Sequence, residues 1–325
     1  MSRQDCFACC HCEAAAPWQS GLPRFARNDD RRESPWGGLS AGGSWIGLKG
    51  RTKLRGFTLI EMIMVMVITG IIAAMVAVFI TKPVEGYVDS ARRAKMTDAA
   101  DTALRRLSRD IRLALPNSLR VTSVGGTSYI EFIMTSSGGR YRDAADGSTG
   151  GNVLDFANAA NLKFDVLGPP PGISANDYVV VYNLGPGFSP ADAYSGGNIA
   201  QVASVSGNTV TLASNPFAAE SPSLPSPNDR FQVVPGDQQA VTYACPTTGT
   251  TAGNFTRTWN YGINAAQPTP PSGGSSALLV ANATCSVDYA ANAEQQNGLL
   301  SIDLTLSESG ESVSLFDQIH VDNSP

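Results

Sequence analysis

The segment Arg51-Thr-Lys53-Leu-Arg55-Gly56-Phe57-Thr58-Leu59-Ile60-Glu61-Met-Ile-Met-Val-Met-Val-Ile-Thr-Gly70-Ile-Ile-Ala-Ala-Met-Val-Ala-Val-Phe-Ile80 joins a basic flank to 24 residues that hold a single charge, Glu61. At about 1.5 Å per residue a helix of that length covers roughly 36 Å, enough to cross a hydrocarbon core of about 30 Å. Arg51, Lys53 and Arg55 precede the apolar run, so the positive-inside rule keeps the N-terminal side in the cytoplasm and sends the bulk of the chain across. An ordinary secretory signal ends in a small-residue cleavage site, and none follows Ile80.

A plain signal anchor leaves Glu61 unexplained. A carboxylate in an apolar helix costs several kcal/mol, about 2.5–3.5 on translocon scales, unless a partner neutralises it. Cleavage between Gly56 and Phe57 creates an ammonium four residues before Glu61. In an assembly of staggered helices that ammonium can instead meet Glu61 of a neighbour, which selects register and assembly together.

Arg55-Gly56-Phe57-Thr58-Leu59-Ile60-Glu61 resembles the prepilin cleavage motif of type IV pilins and type II secretion pseudopilins: Gly at the cut, Phe after it, Glu four residues on, then an unbroken apolar run. Pro83–Ala94, Asp98–Asn117 and the ending Gln318-Ile-His320-Val-Asp322-Asn323-Ser-Pro are similar to MshO-type minor pilins of the mannose-sensitive haemagglutinin (MSHA) pilus. The resemblance implies an α+β, pilin-like fold: a long N-terminal helix packed on an antiparallel sheet, with additional strands and long loops. It divides the chain into a leader (1–56) removed after Gly56, a membrane and filament-core helix (57–82), a periplasmic amphipathic helix (83–116) and a β-rich head (117–325). It further implies N-methylation of Phe57 and an assembly role for Glu61. The partners would be the prepilin peptidase/N-methyltransferase, other major and minor pilins, the inner-membrane assembly platform and, before assembly, the lipid. The product is a non-enzymatic minor pilin in the inner membrane with its head in the periplasm, later part of an extracellular filament, and no cofactor is expected. A type II secretion pseudopilin uses the same parts, and a third class is an uncleaved, membrane-anchored binding protein or hydrolase.

The rest of the 325-residue chain is strongly segmented in charge. Residues 1–56 hold nine Lys/Arg, five Asp/Glu and four of the six cysteines; residues 82–120 hold nine Lys/Arg against five Asp/Glu; residues 121–325 hold five against 17. A basic rod therefore leads into an acidic head, and the overall charge of −5 speaks against a nucleic-acid partner. Leaders of this family are short, so the Cys6-Phe-Ala-Cys9-Cys10-His11-Cys12 stretch reads as upstream sequence rather than a zinc site, whose paired spacing it lacks.

Val84, Val88, Ala91, Ala99, Ala103, Leu107 and Ile111 recur at helical spacing, with Pro83 a candidate bend and Pro116 the expected end. Arg92, Arg93, Arg105, Arg106, Arg109 and Arg112 alternate with Asp89, Asp98, Asp101 and Asp110 at ion-pairing distances along that helix. Beyond it, the spacing predicts strands at 129–134, 162–167, 178–183, 201–205, 209–212, 231–234, 240–245, 256–261, 286–289, 300–306 and 312–321, with a hairpin turn at Ser206-Gly207-Asn208. The size of the head calls for a second sheet or long inserted loops.

Cys245 and Cys285 are the remaining cysteines, and outside the cytoplasm a disulfide is the economical reading. No Walker loop, HExxH or G-x-S-x-G occurs. Asp143, Asp146 and Asp155 offer oxygens of the kind calcium takes, but they miss the EF-hand spacing and read better as solvated loop acids. Trp259 and Tyr194 read equally as receptor contacts or as core.

Overall fold

The computed structural model describes residues 56–144, 151–292 and 297–325, which divide into two units between Ile63 and Met64. The leader up to residue 55, including Cys6 to Cys12, and Asp146 lie outside the described residues.

A single helix, α1 (Leu59–Ile111), carries the apolar segment and continues through Pro83. Among the described residues α1 is long and apolar enough to cross a membrane. Its side chains from Leu59 to Val88 are exposed, whereas Met96, Ala100, Ala103, Leu104, Leu107 and Ile111 are buried at the three- and four-residue spacing of one helical face. The helix stops at Ile111, short of Pro116. Leu113 and Ala114 close onto Asp110 and Ile111, and the chain is then captured by a strand: Leu115 N–H donates to Ile133 O (2.8 Å) and Thr135 N–H to Leu113 O (2.7 Å).

Thirteen strands follow among the described residues: β1 (Arg120–Val124), β2 (Thr127–Ile133), β3 (Ser137–Tyr141), β4 (Lys163–Leu167), β5 (Tyr178–Val181), β6 (Ile199–Ser206), β7 (Thr209–Leu212), β8 (Arg230–Val234), β9 (Ala240–Pro246), β10 (Gly253–Trp259), β11 (Ser275–Asn292), β12 (Asn297–Glu308) and β13 (Glu311–Asp322). Seven form an antiparallel sheet in the order β1-β2-β9-β10-β11-β12-β13, and six close a barrel in the order β3-β4-β7-β6-β5-β8. The fold is α+β. Because β2 pairs directly with β9 from Thr127↔Pro246 to Ile133↔Ala240, the whole barrel is an insertion between two neighbouring strands of the main sheet.

Each part has its own core. The buried face of α1 packs with Phe132, Tyr243, Phe255, Ile302, Leu304 and their neighbours in the main sheet. The barrel encloses Tyr141, Phe164, Phe217, Phe231 and a set of valines. Leu115, Ile133, Val180, Ala193, Tyr194 and Val234 join the two. Gly207 has φ +59 and opens the two-residue turn between β6 and β7, as the sequence indicates.

Three elements depart from the sequence expectation. β3 reads Ser-Gly-Gly-Arg-Tyr and shows no apolar alternation, because Gly138 and Gly139 lie so close to Phe231 of β8 that a side chain at Gly139 overlaps its ring. β1 is a mostly exposed edge strand. β11 runs for 18 residues because its first half pairs with β10 and its second with β12. Its register shifts between the Phe255↔Val280 and Gly253↔Ala283 pairs, and Asn282 there has φ +56. That break hides the period in the sequence.

Cys245 of β9 and Cys285 of β11 are bridged and fully buried in the main core. The bridge spans a sequence separation of 40, so replacing both cysteines by alanine is expected to cost about 2–4 kcal/mol. Urea unfolding of the detergent-solubilised chain, with and without reductant, measures this, and reductant should leave the double variant unchanged.

In the barrel, burial pushes Glu220 up to about 7, although its Oε2 accepts the Leu224 N–H at 3.0 Å. The unfolded chain gives up this proton near 4.5 while the folded chain keeps it to about 7, so the favourable neutral form is fully present below 4.5 and its contribution is lost as pH rises to 7. Glu220→Gln is expected to match the parent at pH 4.5 and to exceed it at pH 8, by about 1 kcal/mol after allowance for solvent screening of this part-exposed group. Denaturant titrations at the two pH values check the difference.

Candidate functional site

Gly56, Phe57 and Thr58 precede the helix in non-helical, exposed chain, so the Gly56–Phe57 peptide bond lies outside any regular element. Helix formation starts at Thr58, whose carbonyl accepts the Met62 N–H at 3.2 Å. The Thr58 hydroxyl accepts the Glu61 N–H (3.3 Å), and Glu61 Oε2 accepts the Thr58 N–H (3.5 Å). Thr58-Leu-Ile-Glu61 is thus a reciprocal capping box that satisfies two of the N–H groups a helix start leaves open. Glu61 also stands in the first turn, where the helix dipole favours a carboxylate. The signal was present in the sequence as Thr-x-x-Glu, in the same seven residues that resemble the cleavage motif.

A Cβ on Gly56 would meet nothing within 4 Å. Folding therefore sets no demand for glycine at this position, and a requirement for it has to come from whatever reads the Gly56–Phe57 bond.

The arginines of α1 are largely spoken for. Arg92 pairs with Asp89 (3.1 Å), Arg105 with Asp101 (2.7 Å), Arg106 with Asp110 (3.3 Å) and Arg93 with Glu311 of β13 (2.6 Å). Asp110 does more than pair along the helix. It accepts Arg257 Nε of β10 at 2.7 Å and the Tyr243 hydroxyl of β9 at 2.8 Å, and all three side chains are buried. Burial and the Asp110 charge together hold the Tyr243 hydroxyl well above the usual tyrosine range. Arg257 also donates to Gln238 Oε1 (3.1 Å) and lies over the Trp259 ring.

A second buried pair sits on the opposite face of the sheet. Arg120 of β1 bonds Glu131 of β2 (3.0 Å), donates to the Asn264 and Ala265 carbonyls, and stacks on Tyr194 at 3.7 Å. Burial raises the Glu131 carboxyl, and the bonded Arg120 guanidinium opposes that shift. These contacts resolve the two aromatics. Tyr194 is buried with its hydroxyl on Ser118 O, and Trp259 is half-buried and packs against the main core, so packing accounts for both.

The remaining acidic candidates are not brought together. Asp143 is exposed, and the Asp155 carboxylate caps its own turn through the Ala157 and Asn158 N–H groups, which hold it below the usual range. Among the described residues no group of three or more His, Cys, Asp or Glu side chains is placed to hold a metal.

Residues 51–77 match the family model described as the prokaryotic N-terminal methylation motif. Comparison of the chain with curated proteins and with solved structures gave no match. The match supports a type IV pilin-like or pseudopilin precursor, and with it processing by a prepilin peptidase, assembly with other pilins and a structural rather than an enzymatic role. The apolar helix fits a membrane-anchored chain with an extracellular head.

Since nothing surrounds Gly56, Gly56→Val is expected to change the stability of the chain by under about 0.5 kcal/mol. In cells carrying the peptidase the same variant should accumulate at the precursor mass. Thermal unfolding and an immunoblot of membranes report the two effects separately.

Proposed function

We propose that the chain is a minor pilin of an MSHA-type type IV pilus, cut between Gly56 and Phe57, methylated on the new amino group, and carried into a filament by the 57–82 helix. In this reading residues 1–56 are the discarded leader, with the head reaching the periplasm first and the cell exterior after assembly. The observation that carries it is the Gly56-Phe57-Thr58-Leu59-Ile60-Glu61 run placed at the start of an apolar helix, with the bond to be cut in exposed, non-helical chain. The resemblance of residues 83–117 and 318–325 to MshO-type pilins supports the narrower assignment.

Glu61 has a role at each stage. Before cleavage it can cap its own helix through Thr58. After cleavage the ammonium of Phe57 is the stronger partner, because a charge-assisted bond is worth roughly twice a neutral one. In a bundle of staggered helices, the carboxylate of one subunit meeting the ammonium of the next offsets the desolvation that each suffers in apolar surroundings.

Intact-mass measurement and N-terminal sequencing of membrane-extracted protein, with and without the peptidase, test the assignment. A chain that begins at N-methyl-Phe57 only when the peptidase is present is the expected result, and an uncut chain in both cases refutes it. Glu61→Ala should still be cut, yet fall by on the order of tenfold or more in sheared filaments relative to membranes. Undiminished incorporation would sink the proposed pairing.

A further inference from the structure

The open edge of the main sheet and the unpaired arginines of α1 fall at one place. Among the described residues β13 pairs with β12 from Glu311↔Glu308 to Asp322↔Asn297 and with no other strand, so every second residue turns its N–H and C=O to the open side. Edge strands are commonly protected by a Lys, a Pro or a bulge. β13 reads Glu311-Ser-Val-Ser-Leu-Phe316-Asp-Gln-Ile-His-Val-Asp322, has no Lys, Pro or bulge, and keeps its register throughout; its guard is the pair of helix-facing charges Glu311, which bonds Arg93, and Asp317. Phe316, at its middle, is 65% exposed on the face turned away from α1.

A groove of about 490 Å³ runs between this strand and the end of α1, lined by Arg105, Ser108, Arg109, Arg112, Leu113 and Asp317. The other four arginines along α1 are paired within the chain, but among the described residues neither the Arg109 nor the Arg112 guanidinium has a hydrogen bond or ion pair. The helix dipole favours a cation near the last carbonyls. Two unpaired guanidiniums lining a groove beside an open strand go beyond that need and present a net positive wall in a head that is otherwise acidic.

We propose that an extended, acidic segment of a partner polypeptide adds to the open edge of β13 as a further strand, with the carboxylates on its helix-facing side meeting Arg109 and Arg112. Main-chain bonds to β13 supply affinity, and the alternation of side chains supplies selection. Residues facing α1 are acidic, residues on the other face cover Phe316, and Asp317 disfavours a carboxylate directly opposite it. A second copy pairing edge to edge about a two-fold axis would set Phe316 against itself without opposing like charges. It would also reverse α1, which two chains anchored in one membrane cannot do. The occupant is therefore a strand of another polypeptide. The choice of occupant rests on the membrane anchorage of the proposed reading, while strand addition itself does not need the processing and assembly steps.

The test uses the full chain in detergent micelles and a fluorescein-labelled peptide of the same 12-residue length as β13, alternating threonine and glutamate except for a serine in place of the central glutamate that would lie opposite Asp317. Saturable binding by fluorescence anisotropy is expected. It should weaken by on the order of tenfold or more in Arg109→Gln/Arg112→Gln, be absent for the threonine–lysine peptide, and weaken similarly when every second peptide amide is N-methylated. No binding up to about 1 mM, or binding indifferent to N-methylation, overturns strand addition. Equal binding of the lysine peptide overturns recognition of acid, and dimers through β13 in sedimentation overturn the choice of occupant.

Discussion

The Asp110 carboxylate joins the helix to everything that follows it. It lies in the last turn of α1, almost wholly buried, and it is met by Arg257 from β10, Tyr243 from β9 and Arg106 from its own helix. An isolated charge in that position would cost several kcal/mol, and only a full set of donors makes it tolerable. The same donors give the contact a direction that packing alone lacks. Alanine, leucine and methionine on the buried face can slide past one another at small cost, whereas a carboxylate that must meet two strands at once fixes both the rotation and the height of α1 over the sheet. The disulfide then ties β9, one of those strands, to β11.

Above this anchored end α1 has no cover of its own. Leaving a Leu, Ile, Met or Val side chain in water forfeits roughly 1.5–3 kcal/mol each, and from Leu59 to Ile80 about two thirds of the residues are of this kind. Such a surface needs lipid or other helices around it. The helix is also apolar all round in this stretch, with no polar face to rest on water, so both environments suit it without any change in the segment itself. Its one charge is at the start rather than in the middle. The capping box holds that charge against the opening N–H groups, where the backbone tolerates a carboxylate best.

The sequence was most legible where the period was simple. Apolar spacing marked the helix, β12 and β13 lie within a few residues of the strands expected at 300–306 and 312–321, and β7 and the turn before it emerged at the expected residues. It was least legible where a neighbour dictated the residue. The glycines of β3 answer to Phe231 more than 90 positions away, and the break in β11 answers to its change of partner from β10 to β12. The helix end illustrates the same point, since a strand takes Leu113 and Leu115 before Pro116 can act. At the processing motif the identity of the residues is readable at once, while the bonding of Thr58 to Glu61 belongs to the first turn, which the hydropathy of the apolar run does not mark. The partners of Asp110 are 133 and 147 positions distant, and no local pattern announces them.

The barrel leaves the main sheet after Ile133 and returns at Ala240, and those two residues are paired neighbours. Its points of departure and return are thus one strand spacing apart, about 5 Å, no wider than the gap a short hairpin loop would close. A lineage could acquire, enlarge or exchange such a module while the sheet, the disulfide and the helix stay as they are. The limit on that freedom is the small apolar seam at the base: Leu115 and Ile133 belong to the frame of helix and main sheet, and Val180, Tyr194 and Val234 shield them. Any replacement module would have to bring its own lid for those two side chains, so the seam, rather than the barrel interior, is where variation should be slowest.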